Sequence, residues 1–286
     1  MNIVDQRTLW FQASKKLTRN SLAFIGLIIV TFILLLCFFG PFFIEYSYEE
    51  QNLAIAGMAP SRAHWFGTDM LGRDLFSRIL YGGRISFMVA FVASLVSLGI
   101  GVTYGAISGW AGGTVDRLMM RIVEILYSLP YTIFVILLMV FIGRGLLPLF
   151  LAIGAVEWLI MARIVRGQVL FIKNQPYIEA SRILGQSKIK IVYKHIIPNI
   201  ASTIIICITL TIPNAMLLES FISFLGLGVQ APMTSWGDLI KEGSIAMETC
   251  PWLIIFPSLF FSLTLFSLNF LGDGLRDALD PRSKRS

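Results

Sequence analysis

Two carboxylates stand where an ionisable group is costly. Glu157 falls in the middle of an apolar run at 146–165, and Glu219 sits near the end of another at 201–222. A carboxylate at that depth can relay protons, gate a pathway or hold a structure together, and in each case it must face protein or water. A relay needs a second intramembrane acid, lysine or histidine within reach, and the sequence offers no obvious chain. Structural and gating readings both stand for Glu157. Glu219 begins ESFISFLGLG, which suggests a helix re-entering the bundle and a structural place at its outer rim. Covalent and hydrolytic chemistry finds little footing: there is no GxxxxGK[ST], HExxH, GxSxG or CxxC. The 3 cysteines, Cys37, Cys207 and Cys250, show neither metal spacing nor a disulfide framework.

The other chemically distinctive stretch is residues 176–199, PYIEASRILGQSKIKIVYKHIIPN, a polar and basic island between long apolar segments. Its outline is two short helices about a glycine. Asn174 can cap the first, Pro176 suits its opening turn, and Gly185 stops it because glycine accepts the left-handed conformation a helix end needs. Ser187 then caps a second helix that carries Ile189, Val192 and Ile196 on one side and ends at Pro198.

The elements around these residues are set by lipid. Of the 286 residues 56% are hydrophobic and only 14% charged, against roughly a quarter charged in an ordinary soluble domain. Six segments, near 21–44, 86–109, 118–142, 146–165, 201–222 and 251–272, approach or exceed the roughly 20 residues that cross a hydrocarbon core as helix. The fold class is therefore an all-α membrane protein with six crossings. The first segment is too long for a secretory h-region and is expected to stay as an anchor. With both termini in the cytoplasm, 17 of the 23 Lys and Arg residues fall inside, as the positive-inside rule requires. The island is then cytoplasmic, and the 2 histidines, His64 and His195, lie on opposite sides. The +6 net charge reads as bilayer orientation, since no aromatic and basic platform for nucleic acid is visible.

Between the first two crossings the outer segment reads HWFGTDMLGRDLFSRILYGGRIS. From Asp74 onward a short helix on the membrane surface is expected, with Asp74 and Arg78 paired at i, i+4 and Gly82 and Gly83 releasing the chain into the second crossing. In that crossing Ala93, Ser97, Gly101, Gly105 and Gly109 recur every four residues and form a packing seam for another helix. Asp116, Arg117, Arg121 and Glu124 mark the cytoplasmic rim of the third segment. Pro130, Pro213 and Pro257 should bend their helices and free backbone carbonyls.

With these residues in view, a family resemblance can be stated. Glu179-Ala180-Ser181, Gly185 and Ile197-Pro198 resemble the EAA loop of bacterial ABC importer permeases, with Ser181 in place of the second alanine and Ile197 in place of the leucine. Residues 64–86 with Gly67-Thr68-Asp69 and Gly72-Arg73-Asp74, the turn Gly109-Trp110-Ala111-Gly112-Gly113, the region 219–237 and the run NFLGDGLRDALDPR are similar to C-type subunits of the peptide, opine and nickel branch. The resemblance covers residues 60–282. It implies one N-terminal helix followed by a five-helix permease core, divided as 1–85, 86–275 and a cytoplasmic tail 276–286, with a coupling loop at 166–200. It also implies a bacterial inner-membrane location, a homologous B-type permease partner, two ATPase subunits that carry ATP and Mg, and an extracytoplasmic binding protein. No cofactor is expected in this chain. Glu179, Ala180, Ser181, Gly185 and Pro198 become the expected ATPase-coupling residues, while Glu219, Glu157, Pro130 and Pro213 are structural or gating candidates. The expected cargo is a dipeptide or oligopeptide, with a nickel or metal chelate as the alternative. A proton-coupled secondary transporter should show internal repeats and paired intramembrane charges, and an intramembrane enzyme a nucleophile or metal cluster; neither pattern stands out.

Overall fold

Apolar length decides most of the architecture. A computed structural model describes residues 16–279, which are almost wholly helical and contain no strand. Helix α1 (Ser21–Phe39) opens on Asn20, whose side chain accepts the Ala23 N–H at 3.3 Å. Then come α2 (Leu75–Ala111), α3 (Gly113–Ser128), α4 (Tyr131–Ile142) and α5 (Leu146–Ile172). The island supplies α6 (Pro176–Ile183) and α7 (Lys188–Ile191), followed by α8 (Ile197–Phe224), α9 (Trp236–Ile245) and α10 (Trp252–Leu279). Five helical stretches among the described residues are long and apolar enough to cross a membrane, and α3 with α4 makes a sixth if the bent pair is one span. The last part of the expected 276–286 tail lies outside the described residues.

The third expected crossing is broken: its two halves meet at 90°. Pro130 is the cause. A residue before proline is pushed out of the helical region, and Leu129 is extended at φ −73°, ψ 138° while Pro130 starts α4 without an N–H. Pro213 and Pro257 instead lie inside unbroken helices, both buried.

The segment between the first two crossings corrects the surface-helix expectation. Leu75 to Leu80 are not a separate helix on lipid but the first turns of the 37-residue α2, which runs through Gly82 and Gly83 without interruption. Leu75, Ile79 and Leu80 are buried in the main apolar cluster beside Trp236 of α9. Nor does Asp74 pair with Arg78. It caps α2, accepting the Ser77 N–H at 2.8 Å, and meets Nδ1 of His64 at 2.9 Å. Arg78 donates to Asp69 at 2.6 Å and to Glu242 of α9, and Arg73 donates to Asp69 at 2.6 Å. The GTDMLGRD run is thus a tight loop wound about the Asp69 carboxylate. Gly72 sits at φ +71°, and a Cβ there would fall 1.8 Å from the Asn52 carbonyl oxygen.

Arg78 is 2% exposed, so removing it leaves carboxylates short of their cation. Arg78→Ala is expected to cost about 3 kcal/mol, read as a lower unfolding midpoint and faster amide exchange across residues 45–74. Asp238 lies nearby, where burial and the Glu242 charge push its carboxyl up to about 6, with Arg78 and Lys241 opposing. The folded form therefore binds a proton more readily than the unfolded chain, and stability falls as pH rises from about 4 to 6. Asp238→Asn should flatten that part of the wild-type pH profile, measured as unfolding midpoint between pH 4.5 and 7.

The small-residue seam lies on α5. Cβ atoms at Gly101, Gly105 and Gly109 would fall 2.6 Å from the Met161 Cβ, 2.4 Å from the Ala162 oxygen and 2.9 Å from the Arg166 oxygen. Helices α2 and α5 make the most extensive pairing in the fold.

Candidate functional site

The island is a hairpin of short helices at one end of the bundle. Pro176 occupies the first turn of α6, but the cap is Gln175; the Asn174 side chain donates instead to the Leu170 carbonyl at 3.2 Å. Helix α6 ends before Gly185, which takes φ +76°. Ser187 accepts the Lys190 N–H at 3.4 Å to open α7. Pro198 does not end the second helix. Residues Val192–Ile196 form a π turn and the chain enters α8 directly, with Pro198 in its first turn where no intrahelical N–H bond is required. The wider turn also shifts the buried side. Ile191, Ile196 and Ile200 face the bundle, whereas Ile189 is 72% exposed.

The expected coupling residues divide between the two faces. Glu179, Ala180, Gly185 and Pro198 are exposed. Ser181 turns inward, its Oγ donating to the Tyr177 carbonyl at 2.8 Å beside the buried Ile178. Sequence reasoning passed over the exposed apolar ridge of Ile183, Leu184 and Ile189 that flanks Gly185. The spacing groups Ile189 with Val192 and Ile196, whereas the structure leaves it outside with Ile183 and Leu184.

The hairpin is fastened to the ends of the long helices. Asp116 of α3 accepts from Arg166 Nε and Nη2 of α5 at 3.0 and 2.6 Å and from Ser108 Oγ of α2 at 2.6 Å. Lys173 donates to the Gly109 carbonyl at 2.7 Å, and the Arg182 guanidinium lies 4.6 Å from the Trp110 ring centroid. Ile178, Ile191 and Ile196 join Val165 and Val169 of α5 in one apolar cluster. The hairpin is therefore packed against the ends of α2, α5 and α8. Asp116 was recognisable as a rim charge, but its partner 50 residues away was not.

The two deep acids have different surroundings. Glu219 is fully buried and is not the start of a re-entrant helix. It lies inside α8, accepting from Ser86 of α2 at 2.9 Å, Ser223 at 2.7 Å and Ser220 at 3.3 Å. The short separate helix on that side is α9, whose Gly237 packs against the Ser220 backbone. Glu219 thus ties α2 to α8 through hydroxyls. Glu157 instead accepts from the Tyr131 hydroxyl at 2.7 Å. Glu157 and Tyr131 line a cavity of about 920 Å³ between α3, α4, α5 and α8 that also takes in Asn214, a residue the sequence reading did not single out.

These features define a multi-pass membrane protein with a cavity between its helices and a helical hairpin at one end. Residues 101–285 match the family model of the binding-protein-dependent transport system inner membrane component, and residues 8–60 match the N-terminal membrane domain of oligopeptide transport permease C. The oligopeptide transport system permease protein OppC of Haemophilus influenzae is 47% identical over 98% of this chain and 91% of its own. The dipeptide transport system permease protein DppC of Bacillus subtilis is 47% identical over 96% of this chain and 86% of its own. A chain from an inward-facing MetNI methionine ABC transporter superposes with a TM-score of 0.58 at 19% identity, covering 70% of this chain and 96% of its own, and shares the fold. The chain belongs to the binding-protein-dependent transport system inner membrane component family. It is a multi-pass inner-membrane permease subunit, a transport component and not an enzyme.

Proposed function

We propose that the chain forms half of a peptide pathway, pairs with a homologous B-type permease, and is driven by two ATPase subunits that carry ATP and Mg. An extracytoplasmic binding protein delivers the dipeptide or oligopeptide. Both termini lie in the cytoplasm, which puts the 176–199 hairpin on the ATPase side. The observation that carries this reading is the hairpin itself: an exposed apolar ridge, Ile183, Leu184 and Ile189, at the Gly185 corner, beside Glu179 and Ala180. Such a ridge in water is an interaction surface, and its mounting on α5 and α8 converts movement of an ATPase cleft into movement of the pathway walls. The names of the relatives support a peptide cargo.

The test is reconstitution of the complete complex in proteoliposomes. Uptake of a dipeptide or tripeptide that requires ATP and survives an uncoupler supports the reading. Uptake of a nickel chelate with no peptide transport would replace peptide by metal cargo. Loss of uptake on collapse of the proton gradient with ATP maintained would overturn the ATP-driven reading.

A further inference from the structure

Glu157, Tyr131 and Asn214 lie on three helices at similar distances from their ends on one side. Glu157 is 11 residues from the start of α5, Tyr131 is 11 from the end of α4, and Asn214 is 10 from the end of α8. Successive crossings alternate in direction, so all three ends lie on the same side. At 1.5 Å per residue each side chain is about 15–17 Å along its helix from that end. All three line the cavity of about 920 Å³. That size is near the top of the roughly 300–1,000 Å³ range of pockets that enclose small ligands.

An exposed asparagine halfway along a crossing does not face hydrocarbon, so this face of α8 borders a wet path or another chain. The rest of the lining is largely apolar, with Phe221, Phe224 and Phe261 among it. Glu157 is 3% exposed and, among the described residues, takes a hydrogen bond from Tyr131 alone and has no basic partner. Its other oxygen is left for a cation that enters the cavity.

We propose that Glu157 is a transient binding site for the α-ammonium group of the transported peptide. Tyr131 holds the carboxylate in place, and Asn214 offers an amide to the peptide backbone. This rests on the peptide reading above. The aromatic wall accepts different side chains, while the carboxylate addresses the one cation every unmodified peptide carries.

The experiment uses the whole complex in proteoliposomes, with trialanine and N-acetyl-trialanine each supplied at saturating concentration. Glu157→Gln is expected to slow trialanine uptake about tenfold, the loss of one charge-assisted hydrogen bond. Acetylated peptide should be unaffected, trialanine binding to the binding protein unchanged, and Glu157→Asp should restore part of the rate. Equal slowing of both peptides, or of neither, overturns the site and leaves peptide transport standing. A wild-type complex that imports neither peptide overturns the peptide reading and the site with it. If Glu157→Gln fails to assemble, Asn214→Asp decides. A second carboxylate at that depth should raise the trialanine to N-acetyl-trialanine rate ratio severalfold, and an unchanged ratio overturns the proposal.

Discussion

Replacing Gly185 by valine is expected to leave the chain inserted and assembled yet lower ATP-driven uptake by about tenfold, together with substrate-stimulated ATP hydrolysis. The reason is backbone conformation and not contact. Gly185 sits at φ +76°, and a Cβ there would meet nothing within 4 Å. A β-branched residue forced into that region costs roughly 1–2 kcal/mol, and the chain relieves the strain by reorienting α6 against α7. The ridge of Ile183, Leu184 and Ile189 then no longer presents one surface to an ATPase. Gly185→Asn, which tolerates left-handed geometry, should retain most of the uptake. Glu179→Arg should resemble the valine variant because Glu179 is exposed beside the ridge. Normal uptake in both Gly185→Val and Glu179→Arg would dismiss the coupling role.

The second large effect concerns assembly. Gly105→Leu is expected to destabilise the α2 and α5 pair by more than about 3 kcal/mol, beyond ordinary overpacking, and to remove most monodisperse protein from a detergent extract. A Cβ at Gly105 would sit 2.4 Å from the Ala162 carbonyl oxygen and 2.9 Å from the Val165 Cβ, so the obstruction includes backbone that cannot rotate away. Gly99 in the same helix is the control. No atom stands within 4 Å of a Cβ there, and Gly99→Ala should be stable.

The contrast between these glycines shows where sequence reading succeeds. Gly101, Gly105 and Gly109 repeat every four residues, a local periodicity that places them on one helix face whatever the neighbour is; the structure supplies α5 as that neighbour. Gly185 between two short helices is equally local. The Asp74 and Arg78 expectation failed because spacing alone favours a pair at i, i+4. Asp74 satisfies the end of its own helix, and Arg78 finds Glu242 164 residues away. Proline disrupts a regular α-helix, so the sequence predicts a stop at Pro198; the structure instead runs through a π turn into one continuing helical path.

The sequence by itself determined the membrane class, most of the helical spans and the hairpin about Gly185, because apolar length, glycine spacing and turn chemistry are written locally along the chain; the family followed from the resemblance of its motifs. Only the tertiary structure decided which side chains share a place. It turned Ser181 inward and left Ile183 and Leu184 outside. It gave Glu219 a partner on α2 and set Glu157 beside Tyr131 and Asn214 in one cavity. Those neighbours are 26 to 133 residues apart in sequence. Their proximity follows from how the long helices pack, and a linear pattern carries no record of that packing.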